Sequence, residues 1–346
     1  LGDNFKVLYK NSKDKFSEKK IKISKSNIFF KNNLNEIISI IKISNASLFF
    51  DEKNLFNLFN LKGEIFNIPF KLKYQNILDS EKKIEIKVPD LKLQVINEIL
   101  KIDKDLNSGT NSISILSSSL NTKYNINDQT IIFRSDSSRV LNSKIDYSGR
   151  LEINPFDLDL KINLDNYKIS NLFISNSIVN EFIKSGVLFN ENISINTLIN
   201  IKSKIRNEIF HDANIKLNIL NGKINFDNSE FINNDIGLLN IINSDLFLDN
   251  EKLILSANLS IDIRNIDKLF SFLNTNKRSR KDFKNIKFNI IYDFLSNQII
   301  FKNIKVDNNE MSEQFKNIVE GFIDNNSNNL TKSRRILNEL IGLYEG

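Results

Sequence analysis

The side chains best suited to chemistry are few and scattered in this sequence. His211 is the only histidine, Asp212 follows it, and the chain contains no cysteine. A zinc site needs several converging ligands, and acid–base catalysis needs a partner held near the imidazole. Because neither arrangement is visible around His211, we interpret it as an ordinary histidine at a turn or strand edge. We predict no metal site and no cofactor.

The carboxylates also show no pair that stands out. Acids alternate with lysines along apolar segments, as in Asp157, Asp159 and Lys161, so none resembles the paired acids of a glycosidase. A Gly-rich phosphate loop and a Gly-x-Ser-x-Gly nucleophile elbow are both absent from the sequence. We therefore predict no catalytic residue and no enzymatic activity.

The densest basic cluster consists of Lys277, Arg278, Arg280 and Lys281. Each cation near a membrane attracts anionic head groups by about 1 kcal/mol, so the cluster is a candidate contact for lipid head groups or a membrane surface. The alternative is a solvated connector between a helix and a strand. The net charge of +6 comes mainly from dispersed lysines, which disfavours nucleic-acid binding.

The elements that must position these residues are β-strands with one apolar face. Apolar residues occupy every second position from Leu158 to Leu164 and from Leu253 to Ile263. Period two is typical of strands, and the intervening charged residues need water. Shorter alternating runs are joined by links rich in Asn, Asp and Gly, which favours antiparallel neighbours connected by tight turns. The sequence predicts a mainly β protein.

Helical patterns are short until the C terminus. Four segments have apolar spacing compatible with one to three helical turns: 34–41, 54–59, 172–184 and 266–273. Apolar spacings of three and four predict two amphipathic helices, from Met311 to Ile323 and from Ile336 to Tyr344. We expect the first to cover the sheet, and the second either to cover it or to contact a membrane or a partner.

A short pattern, Gly-x5-Pro-Phe, extends from Gly63 to Phe70 and again from Gly149 to Phe156. Gly and Pro suit positions where a strand bends or ends, so the pattern indicates a strand, a break at Pro and a second strand. Three further features accompany it: the alternating stretch from Asn214 to Ile263, the segment 266–273 with its basic cluster, and the amphipathic C terminus. With these features the chain resembles the AsmA-like proteins of Gram-negative bacteria.

The resemblance implies an elongated, antiparallel, bent and groove-like sheet with short connecting helices and C-terminal amphipathic helices. It also implies a periplasmic protein of outer-membrane biogenesis, related to TamB-like and other bridge-like lipid transfer proteins. Such proteins are anchored in the inner membrane by an N-terminal helix, which these 346 residues lack. Since the chain begins at Leu1, we expect a fragment or a processed form. We divide it into a β-rich repeat region (1–148), an AsmA-like β region (149–308) and a helical tail (309–346).

The apolar faces of the strands must be covered by something. Burial is worth about 1.5–3 kcal/mol for each large apolar side chain, so an uncovered face of this size would promote aggregation. A closed two-sheet sandwich would cover it with protein, whereas the resemblance implies a groove that holds the acyl chains of phospholipid or another lipid. Outer-membrane assembly proteins are further expected partners. The alternative is a scaffold that supports outer-membrane assembly without carrying lipid. The candidate groove-lining residues are Phe156, Leu158, Leu160, Ile162, Leu164, Leu253, Leu255, Leu259 and Ile261.

Overall fold

The structure is a computed structural model, and it contains two compact units, Leu1–Pro155 and Phe156–Gly346. The boundary lies within the second Gly-x5-Pro-Phe pattern, between its Pro and its Phe. The structure describes residues 15–31, 37–65, 67–77, 81–101, 106–141, 143–169, 187–203, 209–249, 252–294, 298–310, 312, 315 and 330–344.

The first unit is an antiparallel meander in which successive strands from β1 to β9 pair in chain order. Residues in the left-handed region, such as Asn67 and Asp128, shape its tight turns. A 3₁₀ turn, Pro89–Leu91, separates β5 from β6. The strands are β1 (Ile21–Lys31), β2 (Ile37–Asp51), β3 (Phe56–Ile65), β4 (Ile68–Ile77), β5 (Glu81–Val88), β6 (Leu93–Lys101), β7 (Leu106–Ile115), β8 (Ser118–Asn127), β9 (Thr130–Ser135), β10 (Ser138–Val140) and β11 (Ser143–Glu152).

The second unit is also mainly antiparallel, but its first two strands, β12 and β13, run parallel. A parallel pair requires a crossover connection, and here residues 166–192 join the two strands and include the 3₁₀ turn Val187–Phe189. The strands are β12 (Phe156–Asp165), β13 (Ile193–Lys202), β14 (Asp212–Leu220), β15 (Lys223–Asn225), β16 (Ser229–Asn233), β17 (Gly237–Asp249), β18 (Lys252–Ile263), β19 (Asn285–Asp293), β20 (Gln298–Val306) and β21 (Asn309–Glu310).

Among the described residues, each unit contains an interrupted strand, and a buried serine follows each interruption. In the first unit, β9 and β10 both pair with β8 on one side and β11 on the other. In the second unit, β15 and β16 lie in the same way between β14 and β17. Ser138 and Ser229 begin the second halves, and each follows a residue in the left-handed region. The two units therefore share a local feature that interrupts a strand without ending the sheet.

Two helices pack near the end of the second unit. Helix α1 (Ile266–Leu273) is capped by Asn265, whose Oδ1 accepts a hydrogen bond from the Lys268 backbone N at 3.0 Å. Helix α2 (Leu330–Leu343) packs against α1 and against the 3₁₀ turn Lys277–Ser279. Buried aromatic residues, including Phe270, Phe283 and Tyr344, join these elements to β19 and β20.

The predicted mainly β, largely antiparallel fold is confirmed. The predicted helices at 266–273 and near the C terminus are present, as α1 and α2. The helical interpretation of 54–59 is wrong, because Phe56 to Phe59 lie in β3, and residues 37–41 likewise lie in β2. The predicted helix at 172–184 lies outside the described residues, as does most of the one between Met311 and Ile323.

The first Gly-x5-Pro-Phe pattern forms the β3–β4 hairpin, so the predicted order of strand, break and strand is present, but the break is not at the Pro as predicted, because Pro69 lies inside β4. In the second pattern Pro155 does lie in the break, between β11 and β12. Gly63 lies opposite Phe70, and Glu64 lies opposite Pro69. A Cβ atom at Gly63 would approach the backbone oxygen of Lys42 to 2.8 Å and the Phe70 ring to 3.3 Å. Gly63 therefore permits the close approach of two neighbouring strands.

Candidate functional site

A continuous row of aliphatic side chains crosses the sheet of the first unit. Each member lies directly opposite the next one on the neighbouring strand, from β2 to β8. Strands in a sheet are about 4.8 Å apart, so the row extends for about 29 Å. We call it the aliphatic row, and it consists of Ala46, Leu61, Leu72, Ile86, Val95, Ile113 and Leu120.

Burial changes along the aliphatic row. Ala46 and Leu61 are buried in a small cluster with Phe59 and Phe70. From Leu72 onward every member is only partly buried. The described strands of this unit form one sheet, and the 3₁₀ turn Pro89–Leu91 is its only described helical element. Within the described residues of this unit, therefore, neither a second sheet nor a helical layer covers this part of the row.

The opposite face of the same strands is charged. Lys71 and Lys73 project from β4, and Lys83 of β5 pairs with Glu98 of β6 at 2.5 Å. The hydrogen bond from Lys87 (2.7 Å), with another from Gln94, holds the pKa of Glu85 below its ordinary value. On β4 to β6 this face is mainly charged and can face water, whereas the apolar face requires a cover.

A polar row borders the aliphatic row on the apolar face of β6 to β8. Asn97, Asn111 and Thr122 lie opposite one another across these strands. The Tyr124 hydroxyl donates to Asn97 Oδ1 at 2.9 Å, and the Tyr147 hydroxyl lies 2.6 Å from Thr122 Oγ1. The face therefore combines a long apolar stripe with hydrogen-bonding groups beside it.

The predicted lining residues of β12 all lie on one face of that strand and alternate with polar residues, of which Asp159, Lys161 and Asn163 are exposed. Phe156 is 37 % exposed, Leu158, Leu160 and Ile162 are partly buried, and Leu164 is buried. Their cross-strand partners on β13 are mainly isoleucines. On the opposite face, Asn196 Nδ2 donates to Asp159 Oδ1 at 3.2 Å, as the predicted wet face requires.

The predicted lining residues of β18 have different surroundings. Leu253 is 1 % exposed and packs with Leu255 in a cluster under the 3₁₀ turn Val187–Phe189. Leu259 is also buried. Ile261 lies at the other end of the strand and contributes to the wall of a cavity.

This cavity, of about 330 Å³, lies between the ends of β18 to β20 and the helices α1 and α2. Its walls are apolar side chains, and the phenol of Tyr344 adds a hydroxyl. Burial raises the pKa of Tyr344, and the nearby carboxylate of Asp307 raises it further. Leu337 on α2 also lines the cavity and is 44 % exposed, so it marks the open side. The other lining residues include Ile263, Leu269, Leu273, Phe283, Ile286, Phe288, Phe301, Ile304, Val306, Phe315, Leu340 and Ile341.

The predicted basic cluster lies beside this cavity, on the connection from α1 to β19. Lys277, Arg278 and Arg280 are exposed, whereas Lys281 is partly buried. The Nε atom of Arg280 donates to the Thr275 carbonyl oxygen at 3.2 Å, and its guanidinium lies 5.5 Å from the Phe270 ring centroid. Arg280 therefore helps to hold the connection in place, while Lys277 and Arg278 face solvent.

His211 directly precedes β14, and its hydrogen bonds join it to neighbouring backbone groups. Its Nδ1 accepts a hydrogen bond from the Asn234 backbone N at 3.3 Å, and its backbone N donates to the Ile232 carbonyl oxygen at 2.8 Å. Across the described ranges, no group of three His, Cys, Asp or Glu side chains is arranged to hold a metal ion.

The sequence patterns did not reveal the cavity wall as a set. Phe283 is an isolated apolar residue between Asp282 and Lys284, so it belongs to no alternating run. Phe301 and Ile304 are three apart on β20, because a register shift between β19 and β20 changes the alternation there. The available signal was the amphipathic pattern of α2, which predicted an apolar surface beneath it.

None of the described helices is long and apolar enough to cross a bilayer. Comparisons with protein-family models, with curated proteins and with solved structures find no match to this chain.

Proposed function

We propose that this chain is an AsmA-like protein that binds or conducts phospholipid in outer-membrane biogenesis, with acyl chains held on the apolar faces of its sheets. The observation that carries the proposal is the aliphatic row. It is continuous over seven strands, and beyond Leu61 its members are only partly buried. Such a stripe is longer than a protein needs for a local contact, and it suits an extended hydrocarbon chain.

The energetic argument is burial of apolar area. An acyl chain laid along the aliphatic row would remove both its own surface and that of Leu72, Ile86 and Val95 from water. This transfer contributes about 25 cal/mol for each Å² of apolar surface. The lipid head group would remain in water beside the stripe, where polar side chains such as Asn97 and Asn111 lie. The proposal needs no catalytic residue.

The proposed setting follows from the resemblance and the binding chemistry together. A lipid carrier of this kind would work in the periplasm, beside the inner membrane, and would deliver lipid in concert with outer-membrane assembly proteins. The exposed cations Lys277 and Arg278 would support contact with an anionic membrane surface.

The experiment is lipid extraction from the purified chain, followed by mass spectrometry. We expect stoichiometric phospholipid from the wild type and a marked loss from Ile86→Asp and Ile113→Asp. The matched controls are Lys87→Asp and Ser114→Asp, which change exposed neighbours on the opposite face of the same strands. Well-folded protein without lipid would favour the scaffold. The proposal would also be contradicted if the apolar-face variants and the opposite-face controls carried equal amounts of lipid.

A further inference from the structure

The cavity beneath α2 has the size of a small ligand site. Ligand pockets occupy about 300–1,000 Å³, whereas well-packed interiors contain few voids larger than a water molecule. The cavity measures about 330 Å³. A dry apolar cavity of about 150 Å³ accommodates one benzene molecule, so this one has room for about a dozen carbon atoms. That volume suits one hydrocarbon chain rather than two.

The walls specify the chemistry of the occupant. Apart from the Tyr344 hydroxyl, the residues lining the cavity present hydrocarbon, including the rings of Phe283, Phe288 and Phe301. A polar ligand buried there would lose its hydrogen bonds to water without replacing them. The part of a ligand that enters the cavity must therefore be apolar.

Positive charge lies on the 3₁₀ turn that packs against α2, the helix at the open side of the cavity. Leu337 marks this side, and the helix that carries it packs against the 3₁₀ turn Lys277–Ser279. Phe283, which lines the wall, follows Lys281 by two residues. Lys277 and Arg278 are exposed, and within the described part of the chain neither forms an ion pair. The cations on the turn are therefore available to an anionic group.

We propose that this cavity is a distinct binding site for an anionic lipid, which inserts one acyl chain beneath α2 and places its head group on Lys277 and Arg278. This inference rests on the proposed lipid-binding function and adds a lipid class and a place to it. The site differs from the aliphatic row, because it is enclosed by two helices and accepts a single chain.

The sequence contains no tryptophan, so one introduced indole reports on one position. Leu337→Trp places this probe at the open side of the cavity, at an exposed residue where folding should be unaffected. Lauroyl lysophosphatidylglycerol, below its micelle concentration, should shift the emission to the blue and saturate at one lipid per chain. The position control is Leu116→Trp, which is 75 % exposed in a turn of the first unit and should not respond.

Charge is tested in the Leu337→Trp background. The double change Lys277→Glu and Arg278→Glu should weaken binding of this lipid about tenfold, and lauroyl lysophosphatidylcholine should bind more weakly than the anionic lipid to the unchanged cluster. The matched charge control is Lys161→Glu with Lys216→Glu, at exposed positions on β12 and β14. No emission shift from the Leu337→Trp variant, equal binding of the two lipids, or equal effects of the two double changes would overturn the inference.

These outcomes separate this inference from the proposed function. If purified wild type carries lipid that Ile86→Asp removes, and the indole at position 337 does not respond, only the cavity site is wrong. If that indole responds as expected but the purified chain carries no lipid, the role of the aliphatic row is wrong and the cavity remains a lipid site. A second copy of the chain in the cavity would instead make the emission of the Leu337→Trp variant depend on protein concentration, which would overturn the inference.

Discussion

Asn338 on α2 donates its side-chain amide to the carbonyl oxygen of Leu273, the last residue of α1, at 2.8 Å. Its Oδ1 atom also accepts a hydrogen bond from Thr275 Oγ1 at 2.5 Å. One side chain therefore satisfies a free carbonyl at the end of α1 and fixes α2 to the segment that follows it. This contact holds α2 over the apolar cavity.

We expect Asn338→Ala to loosen α2 selectively. The change leaves the Leu273 carbonyl and the Thr275 hydroxyl without this partner, and the expected cost is about 1–3 kcal/mol. Amide hydrogen exchange should become faster in α2 and at the end of α1, with little change in the first unit. The control is Asn258→Ala, at an exposed position on β18. Unchanged exchange in α2 would show that the apolar contacts alone hold the helix.

The buried serines of the two interrupted strands should be important for stability. Ser138 Oγ accepts from the Asn121 backbone N at 2.8 Å, and Ser229 Oγ accepts from the Lys216 backbone N at 2.9 Å. Each serine is 0 % exposed. We expect Ser138→Ala and Ser229→Ala each to lower the free energy of unfolding by about 1–3 kcal/mol, because a buried backbone N–H loses its acceptor.

Urea unfolding measures this effect, with exposed Ser148→Ala as the control. The Ser229 change should be the more costly of the two. The Ser138 hydroxyl also donates to the Asn121 carbonyl oxygen at 3.0 Å, and the Ser229 hydroxyl donates to the Lys216 carbonyl oxygen at 3.3 Å. When Ser138 is replaced, the Asn121 carbonyl oxygen keeps a second donor, the Asp136 backbone N at 2.7 Å. If neither change lowers the free energy of unfolding more than Ser148→Ala does, the interrupted strands rearrange at little cost and the prediction is wrong.

Two leucines predicted to line a groove should respond differently to a charge. Leu160 on β12 is partly buried, whereas Leu259 on β18 is 8 % exposed. We expect Leu160→Asp to remain folded and to lose bound lipid, and Leu259→Asp to destabilise the second unit by several kcal/mol because it buries a carboxylate. Circular dichroism and lipid analysis distinguish these results, with Lys161→Asp as the opposite-face control. A folded Leu160→Asp variant with unchanged lipid would exclude Leu160 from lipid binding.

Alkaline pH should loosen the end of α2 through Tyr344. Burial raises the pKa of this phenol above its usual value of about 10. The folded state therefore favours the protonated form, so the contribution to stability is complete below pH about 10 and is lost as the pH rises through the folded-state pKa. In urea unfolding from pH 8 to 11, Tyr344→Phe should reduce the decline of the wild type. Part of the decline should remain in the Tyr344→Phe variant, because burial also raises the pKa values of Tyr167 and Tyr292. Identical profiles would contradict this role.

The sequence was sufficient to predict the strands with strict alternation. Leu158 to Leu164 and Leu253 to Ile263 lie in β12 and β18, because a half-buried strand requires that pattern. The segment 54–59 could not be assigned in the same way. Its apolar residues form two adjacent pairs, Leu55-Phe56 and Leu58-Phe59, and this spacing fits either a helix or a strand. The partners of Phe59, which are Leu48 on one side and Tyr74 on the other, decide for the strand.

The cavity required tertiary information. Its wall combines Ile261 on β18, Phe283 in a connector and Leu340 on α2, and no spacing rule links positions so far apart. The aliphatic row also depends on how the strands pair. Each strand contributes one alternating residue, such as Ile86 or Val95, and only the register of the sheet aligns them. Local periodicity therefore predicts which face is apolar, and cross-strand register determines where a continuous surface forms.

Residue-specific photocrosslinking to lipid in cells tests the central claim most directly. A benzophenone amino acid at Ile86 lies on the aliphatic row, and at the next position, Lys87, it lies on the charged face of the same strand. We predict that the chain with the probe at 86 is crosslinked to phospholipid and that the chain with the probe at 87 is not. Equal crosslinking at the two positions, or none at 86 in folded protein, would contradict the binding of acyl chains to this face.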